Sequence, residues 1–256
     1  MRSILGREHL DVIPQLAWSN LLLGFDFDGT LAPIVPDRDR ARMRRSTRDL
    51  LAAVCARYPC AVISGRGFDD VRARLDGVDV PWVIGNHGIE PSPGMSHFED
   101  AVRAMRPALE AALGAVRGVE IEDKRFSLAL HYRRARARGE AREAIVAAVR
   151  ALPRPTRVVM GKMVVNVLPD GAPHKGVALL ELRARVGADV ALYVGDDVTD
   201  EDVFEMEQPG RLVGVRVGRS PRSAASFYVE DQRQVDALLR RLVEARAGGG
   251  GAWSAA

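Results

Sequence analysis

The apolar residues of this chain fall into two rhythms. Leu21-Leu22-Leu23-Gly24-Phe25, Cys60-Ala61-Val62-Ile63, Trp82-Val83-Ile84-Gly85 and Val190-Ala191-Leu192-Tyr193-Val194-Gly195 are short unbroken runs. Runs of that length read as strands buried on both faces of a parallel sheet. Between them the spacing turns helical. Leu10 to Trp18 predicts a short helix ahead of a first strand at about 20–27. Leu50, Leu51, Val54 and Cys55 form one stripe of a second helix, which Ser46 or Thr47 can cap and Pro59 ends. A third helix is predicted over about 68–75. Strand and helix alternate, which argues crossover connections and a parallel sheet.

After residue 91 the pattern changes. Pro91-Ser92-Pro93-Gly94 reads as a linker. Phe98, Val102, Met105, Leu109 and Leu113 make a helical stripe over about 97–116, with a kink expected at Pro107. Val119–Asp123 and Phe126–Tyr132 alternate as antiparallel strands joined at Lys124-Arg125. A helix at about 139–151, with Ala141, Ile145, Ala148 and Val149 inward, and strands at 157–160 and 162–168 follow. Residues 92–169 therefore read as a small α+β domain between two halves of a core, 1–91 and 170–256. Pro169–Pro173 is the second hinge. The core resumes with a helix at 174–186, strands at 190–195 and 211–217, and a helix at 231–246. Residues 247–256 are Gly/Ala-rich and read as a disordered tail.

Composition adds exclusions. The 256 residues are 47% hydrophobic and 28% charged, an ordinary globular balance. The net charge is only +3, and no nucleic-acid-binding signature accompanies it, so no nucleic-acid partner is expected. No apolar run reaches about 18 residues, so no membrane span is expected. The start of the chain lacks a secretion pattern, which predicts a cytoplasmic protein. Cys55 and Cys60 fit neither a C-x-x-C nor a zinc pattern and read as buried free thiols.

Candidate chemistry gathers at the strand ends. Asp26 and Asp28, one residue apart on an extended segment, point the same way, and Gly29 lets the chain turn. Two close carboxylates need a shared cation or proton. A hard cation such as Mg²⁺ suits them, and one carboxylate could then attack phosphorus while the other moves a proton. The plain alternative is an Asp-Gly turn. Ser64, before Gly65-Arg66, could hold a phosphoryl oxygen or simply cap the next helix. Lys175 sits at a helix start, where it opposes the macrodipole, although a snorkelling surface lysine would look the same. A second acidic strand end, Asp196-Asp197-Val198-Thr199-Asp200-Glu201-Asp202, completes an oxygen-rich set. Acids favoured at a helix N-terminus explain Asp200, Glu201 and Asp202 better than Asp196 and Asp197.

In order, the chain reads D-F-D-G-T-L, I-S-G-R, H-K-G and G-D-D-V-T-D-E, with an insertion between the second and third motifs. This set resembles the haloacid dehalogenase superfamily of phosphatases, and implies a Rossmann-like α/β core with an inserted α+β cap. Three further stretches resemble the trehalose-6-phosphate phosphatase family within it. They are Gly85-Asn86-His87-Gly88-Ile89-Glu90, Glu122-Asp123-Lys124 before a strand ending His131-Tyr132-Arg133, and the D-D-x-T-D-E form of the last motif. The resemblance implies hydrolysis of trehalose 6-phosphate, a small-molecule sugar phosphate, to trehalose and phosphate. It makes Asp26 the nucleophile that becomes an aspartyl-phosphate, and Asp28 the general acid and then base. Ser64 and Lys175 hold the phosphoryl oxygens. Mg²⁺ is ligated by Asp26, the Asp28 backbone carbonyl and Asp196, with Asp197 or Asp200 in support. Arg66, His87 and Glu90 at the core rim, and Lys124, His131 and Arg133 on the cap, contact the substrate.

One strand departs from the family pattern V-x-E-x-R-P. Here Met163-Val164-Val165-Asn166-Val167-Leu168-Pro169 puts Asn166 in place of the glutamate and Leu168 in place of the arginine. An amide keeps hydrogen bonds to sugar hydroxyls and loses the charge. Sucrose phosphate, glucosylglycerol phosphate and a mannosyl-glycerate phosphate are therefore the rival substrates. A phosphotransferase and a non-catalytic sugar-phosphate-binding protein are the rival classes. The latter requires a broken catalytic set, whereas Asp26, Asp28, Ser64, Lys175 and Asp196 are all present.

Overall fold

A computed structural model of the chain describes residues 1–91, 95–206 and 208–247. Linker residues 92–94 and the expected tail beyond residue 247 lie outside the described residues. The elements in chain order are β1 (Arg2–Ser3), α1 (Val12–Trp18), β2 (Leu21–Phe25), α2 (Arg45–Cys55), β3 (Cys60–Ile63), α3 (Phe68–Arg74) and β4 (Trp82–Ile84). Next come α4 (Met95–Leu113), β5 (Glu120–Asp123), β6 (Leu128–His131), α5 (Arg138–Arg150), β7 (Thr156–Gly161) and β8 (Val164–Pro169). The chain continues with α6 (Lys175–Arg185), β9 (Val190–Gly195), α7 (Val198–Phe204), β10 (Leu212–Val217), β11 (Phe227–Val229) and α8 (Gln232–Ala247). They form two compact units. One combines Met1–Gly88 with the chain from His174 onward, and the other is Ile89–Pro173.

The first unit is a parallel seven-stranded sheet in the order β1-β11-β10-β9-β2-β3-β4. Strand alternation sorts the apolar runs into two cores. Leu21, Leu23 and Phe25 of β2 pack with α1, α2 and α8 on one face, while Leu22, Ala61, Ala191 and Tyr193 pack with α6 and α7 on the other. Burying a side chain of this size contributes roughly 1.5–3 kcal/mol. The stripe that α6 buries is Ala178, Leu179 and Leu182. The β2 strand stops at Phe25, two residues earlier than predicted, because the chain begins to turn at Asp26. The helix α2 starts at Arg45, so neither Ser46 nor Thr47 caps it; both hydroxyls instead donate to the buried Asp236 of α8, at 2.8 and 2.7 Å. The two cysteines are buried and free, as expected.

The second unit has an antiparallel sheet in the order β5-β6-β8-β7. Leu128, Leu130, Val165 and Val167 face α4 and α5 and form its core with Val102, Leu109 and Ile145. The helix α4 runs on through Pro107. The tight turns use left-handed backbone at Arg125 (φ 72°) and Met163 (φ 65°). The residues flanking this unit in sequence meet in the first unit. A Cβ at Gly88 (φ 117°) would lie 2.8 Å from the His174 carbonyl. No helix among the described residues is long and apolar enough to cross a membrane.

Candidate active site

Asp26 lies one residue past β2, yet its N–H still donates to Val194 O of β9 at 2.9 Å. The carboxylate is thus delivered from the last paired position at the C-terminal end of the sheet, where open α/β sheets bind ligands. The chain then folds back, with Gly29 N–H donating to Ala32 O at 2.7 Å and Ala32 N–H to Phe27 O at 2.8 Å. Gly29 is required twice over. Its φ is 91°, and a Cβ there would occupy the place of the Asp196 carboxylate.

Lys175 is buried, 1% exposed, and so is not the snorkelling lysine that its sequence position allows. It opens α6 behind His174, whose Nδ1 accepts the Gly176 N–H. Lys175 Nζ donates to Asp26 Oδ1 at 2.7 Å and to Asp200 Oδ1 at 2.8 Å. Burial works against the ammonium, but the two carboxylates outweigh it and hold its pKa above the usual lysine value. Asp200 Oδ1 also accepts the Tyr193 hydroxyl at 2.7 Å, and its Oδ2 accepts the N–H groups of Asp196 and Asp197, both at 2.9 Å. All four lone-pair positions of this fully buried carboxylate are thereby used.

Asp196, at the end of β9, accepts a long hydrogen bond from Thr30 Oγ1 at 3.4 Å. Burial, then repulsion from Asp200 and Asp197, pushes its carboxyl up to about 7. Asp26 is pushed up as well, chiefly by burial, with Lys175 opposing the shift and Asp200 and Asp196 adding to it. One oxygen from each of Asp26, Asp196 and Asp200 lies within 4.8 Å of the other two. Lys175 donates to two of these three carboxylates, while Asp196 has the charges of Lys175 and Arg216 nearby. The raised carboxyls express a deficit of positive charge that a divalent, oxygen-preferring cation would fill.

The Asp28 carboxylate goes elsewhere. It takes a two-point fork from Arg66, Nε to Oδ2 at 2.5 Å and Nη2 to Oδ1 at 2.8 Å. Asp26 and Asp28 are thus held by different cations, contrary to the shared direction expected from alternation, because the strand ends before Asp28. Ser64 is buried and does not cap α3, whose N-cap is Gly67; its Oγ accepts the Arg66 N–H at 3.2 Å. His87 is buried, with its ring where a Gly65 Cβ would be, so the I-S-G-R and N-H-G stretches meet.

In the second unit, strand register places Glu122, His131 and Asn166 on the sheet face opposite α4 and α5. His131 Nε2 pairs with Glu122 Oε2 at 2.8 Å. Asn166 is buried, and its amide reaches Val159 O at 3.5 Å. Lys124 is half-buried in the turn after β5, with its N–H donating to Ser127 O at 3.0 Å. Glu90 is half-buried and Arg133 exposed. Tyr193, Thr30 and Asp70 escaped the sequence reading. Only Tyr193 carries a signal there, a polar tip within an otherwise apolar strand.

A parallel sheet in this strand order, with acidic ends on two neighbouring strands and a buried lysine beside them, is the core of a haloacid dehalogenase-type fold. A family model described as Trehalose-phosphatase matches residues 24–233. The trehalose-phosphate phosphatase of Mycolicibacterium paratuberculosis is 38% identical over 242 residues, covering 86% of this chain and 61% of that protein. The chain therefore spans about three fifths of the length of that relative. The probable trehalose-phosphate phosphatase 9 of Oryza sativa subsp. japonica is 32% identical over 266 residues, covering 89% and 71% of the two chains. Among solved structures, the C-terminal domain of the C. albicans trehalose-6-phosphate phosphatase matches with a TM-score of 0.77 and 23% identity, covering 95% of this chain and 98% of that one. The chain belongs to the trehalose-phosphatase family.

Proposed function

We propose that this protein is a Mg²⁺-dependent phosphatase that hydrolyses trehalose 6-phosphate to trehalose and phosphate through an aspartyl-phosphate. The observation that carries this reading is the buried Lys175 bridging Asp26 and Asp200, with Asp196 beside them, at the C-terminal end of the sheet. The names of the relatives supply the sugar.

Asp26 Oδ1 is held by Lys175, which leaves Oδ2 to attack phosphorus. As the new P–O bond forms, the bond to the sugar oxygen breaks and Asp28 gives that oxygen a proton. In the second half Asp28 takes a proton from water, the water oxygen attacks phosphorus, and the Asp26–phosphorus bond breaks to release phosphate. Lys175 has three N–H donors, two of them spent on carboxylates, so the third can reach a phosphoryl oxygen, as can the Ser64 hydroxyl. Asp26, Asp196 and the Asp28 carbonyl would hold Mg²⁺, and Asp197 supports the turn. When bound, the ion neutralises phosphoryl charge and relieves the repulsion among the aspartates. Asp200, its oxygens filled, acts as the anchor of Lys175 and of the Asp196–Asp197 turn. His87 of the first unit, and Glu90, Lys124, His131, Arg133 and Asn166 of the second, remain the residues proposed as sugar contacts.

The test is phosphate release from a panel of sugar phosphates with Mg²⁺. A kcat/KM for trehalose 6-phosphate well above those for the other glycosyl phosphates is expected. A flat profile, or activity indifferent to EDTA, would overturn the assignment.

A further inference from the structure

Arg66 was expected to contact substrate, but its guanidinium is already spoken for. Beyond the fork to Asp28, Nη1 donates to Asp70 Oδ2 and Nη2 to Arg38 O, both at 2.8 Å. Four of the five N–H groups of an arginine are thereby used. The side chain is only 9% exposed, and its guanidinium carbon lies 5.9 Å from the centre of the Phe27 ring. Asp70 is itself braced by Arg74 Nε at 2.8 Å, so the arginine is anchored from behind. Asp28, in contrast, has a side chain 36% exposed. A buried cation held on its far side thus grips a carboxylate that is partly open to solvent.

We propose that Arg66 is a positioning residue for Asp28 and does not bind the substrate. This rests on the reading of Asp28 as the general acid. A two-point fork fixes the plane of the carboxyl group and leaves one lone pair on each oxygen outside the fork, where a proton can be carried. Asp28 stands two residues beyond Asp26 in a loop that turns at Gly29, so the backbone alone does not aim it. Proton transfer requires hydrogen-bond reach of the leaving oxygen, and small misplacements cost rate steeply. Lysine would keep the charge at position 66 but could not form the fork.

The test uses Mg²⁺-loaded wild type, Asp28→Asn, Arg66→Lys, Arg66→Ala and the double variant Asp28→Asn/Arg66→Lys. The substrates are a series of substituted aryl phosphates, which carry no sugar, and trehalose 6-phosphate. The readout is the slope of log kcat/KM against leaving-group pKa, which reports the steps up to formation of the phospho-aspartate. Wild type gives a shallow slope, because poor leaving groups are protonated as they depart. Both Arg66 variants are expected to steepen the slope towards that of Asp28→Asn. The loss should be a few-fold for 4-nitrophenyl phosphate and on the order of 10²-fold for the least acidic phenols, the scale of general-acid catalysis. The double variant should be no steeper than Asp28→Asn alone. An Arg66→Lys enzyme with the wild-type slope that loses kcat/KM on trehalose 6-phosphate alone would make Arg66 a sugar contact and overturn the proposal. An equal loss on every ester would reduce Arg66 to a structural role. A wild-type slope in Asp28→Asn would overturn the general-acid reading and this proposal with it. If Arg66→Ala fails to fold, Arg66→Lys alone decides among these outcomes.

Discussion

Lys175 and Asp26 are 149 positions apart in the chain, and their side chains meet at 2.7 Å. Lys175 is the sole cation bonded to the buried carboxylates Asp26 and Asp200 among the described hydrogen bonds. Removing it strands both charges. Lys175→Met should destabilise the metal-free protein by about 3–5 kcal/mol, the cost of breaking a buried ion pair. Urea unfolding measures this, and the same variant should lose turnover. A variant as stable as wild type would mean that the aspartates are protonated in its absence.

Asp26→Asn should abolish turnover and keep the fold. Burial penalises the Asp26 carboxylate, and asparagine removes that penalty while keeping a carbonyl acceptor for Lys175. Its thermal midpoint at pH 8 without metal should equal or exceed that of wild type. Residual phosphate release from Asp26→Asn would disprove the nucleophile assignment.

The raised carboxyls also fix a pH dependence. Asp26 and Asp196 hold protons more tightly in the folded state than in the unfolded chain, Asp196 up to about 7. The folded state then binds more protons, so stability falls as pH rises from about 4, the unfolded carboxylate value, through 7. A cation that replaces those protons should stabilise the fold more at pH 8 than at pH 5. Melting curves with Mg²⁺ and with EDTA at the two pH values give the comparison, and an equal increment at both would count against cation binding at this site.

Gly29→Ala should weaken Mg²⁺ activation by roughly tenfold, or about 1.4 kcal/mol. The new methyl group would displace the Asp196 carboxylate, and φ 91° strains any L-residue. A titration of activity with Mg²⁺ reads the effect. Unchanged activation would show that Asp196 does not hold the ion.

Asp236 offers the converse case. It accepts hydrogen bonds from Arg44, Ser46 and Thr47 and so ties α8 to α2. Asp236→Ala should destabilise the fold by roughly 2 kcal/mol, since it removes the acceptor of the buried Thr47 hydroxyl and of the half-buried Arg44. Because the partners of Asp236 are Arg44, Ser46 and Thr47 and none of the clustered aspartates, kcat at a permissive temperature should stay within about twofold of wild type. A large loss of kcat with unchanged stability would contradict a structural role.

The sheet strands were legible because parallel strands covered on both faces leave continuous apolar runs, as in Leu21–Phe25 and Val190–Gly195. Strands β1 and β11, of two and three residues, carry too little pattern to be seen. The acids at two strand ends were visible as a set, and Asp26, Asp196 and Asp200 do come together. Which cation serves which carboxylate was not visible. That depends on where β2 stops and on side chains that arrive from the loop before α3 and from the start of α6. Ser46 and Thr47 illustrate the same limit. Their local pattern satisfied a helix cap, and a distant buried carboxylate outcompeted it.

Gly88 and His174, at the two edges of the Ile89–Pro173 unit, approach so closely that only a glycine fits at position 88. An excursion that departs and returns at neighbouring points imposes no span on the body it interrupts. A different excursion, longer or shorter, could be grafted between the same two residues with little added closure entropy. The strand ends that hold Asp26, Ser64 and Asp196, and the start of α6 that holds Lys175, would keep their places. The proposed chemistry and the proposed sugar contacts of the second unit would thereby lie on separately replaceable stretches of one chain, and a change such as Asn166 or Leu168 in the second would leave the first in place.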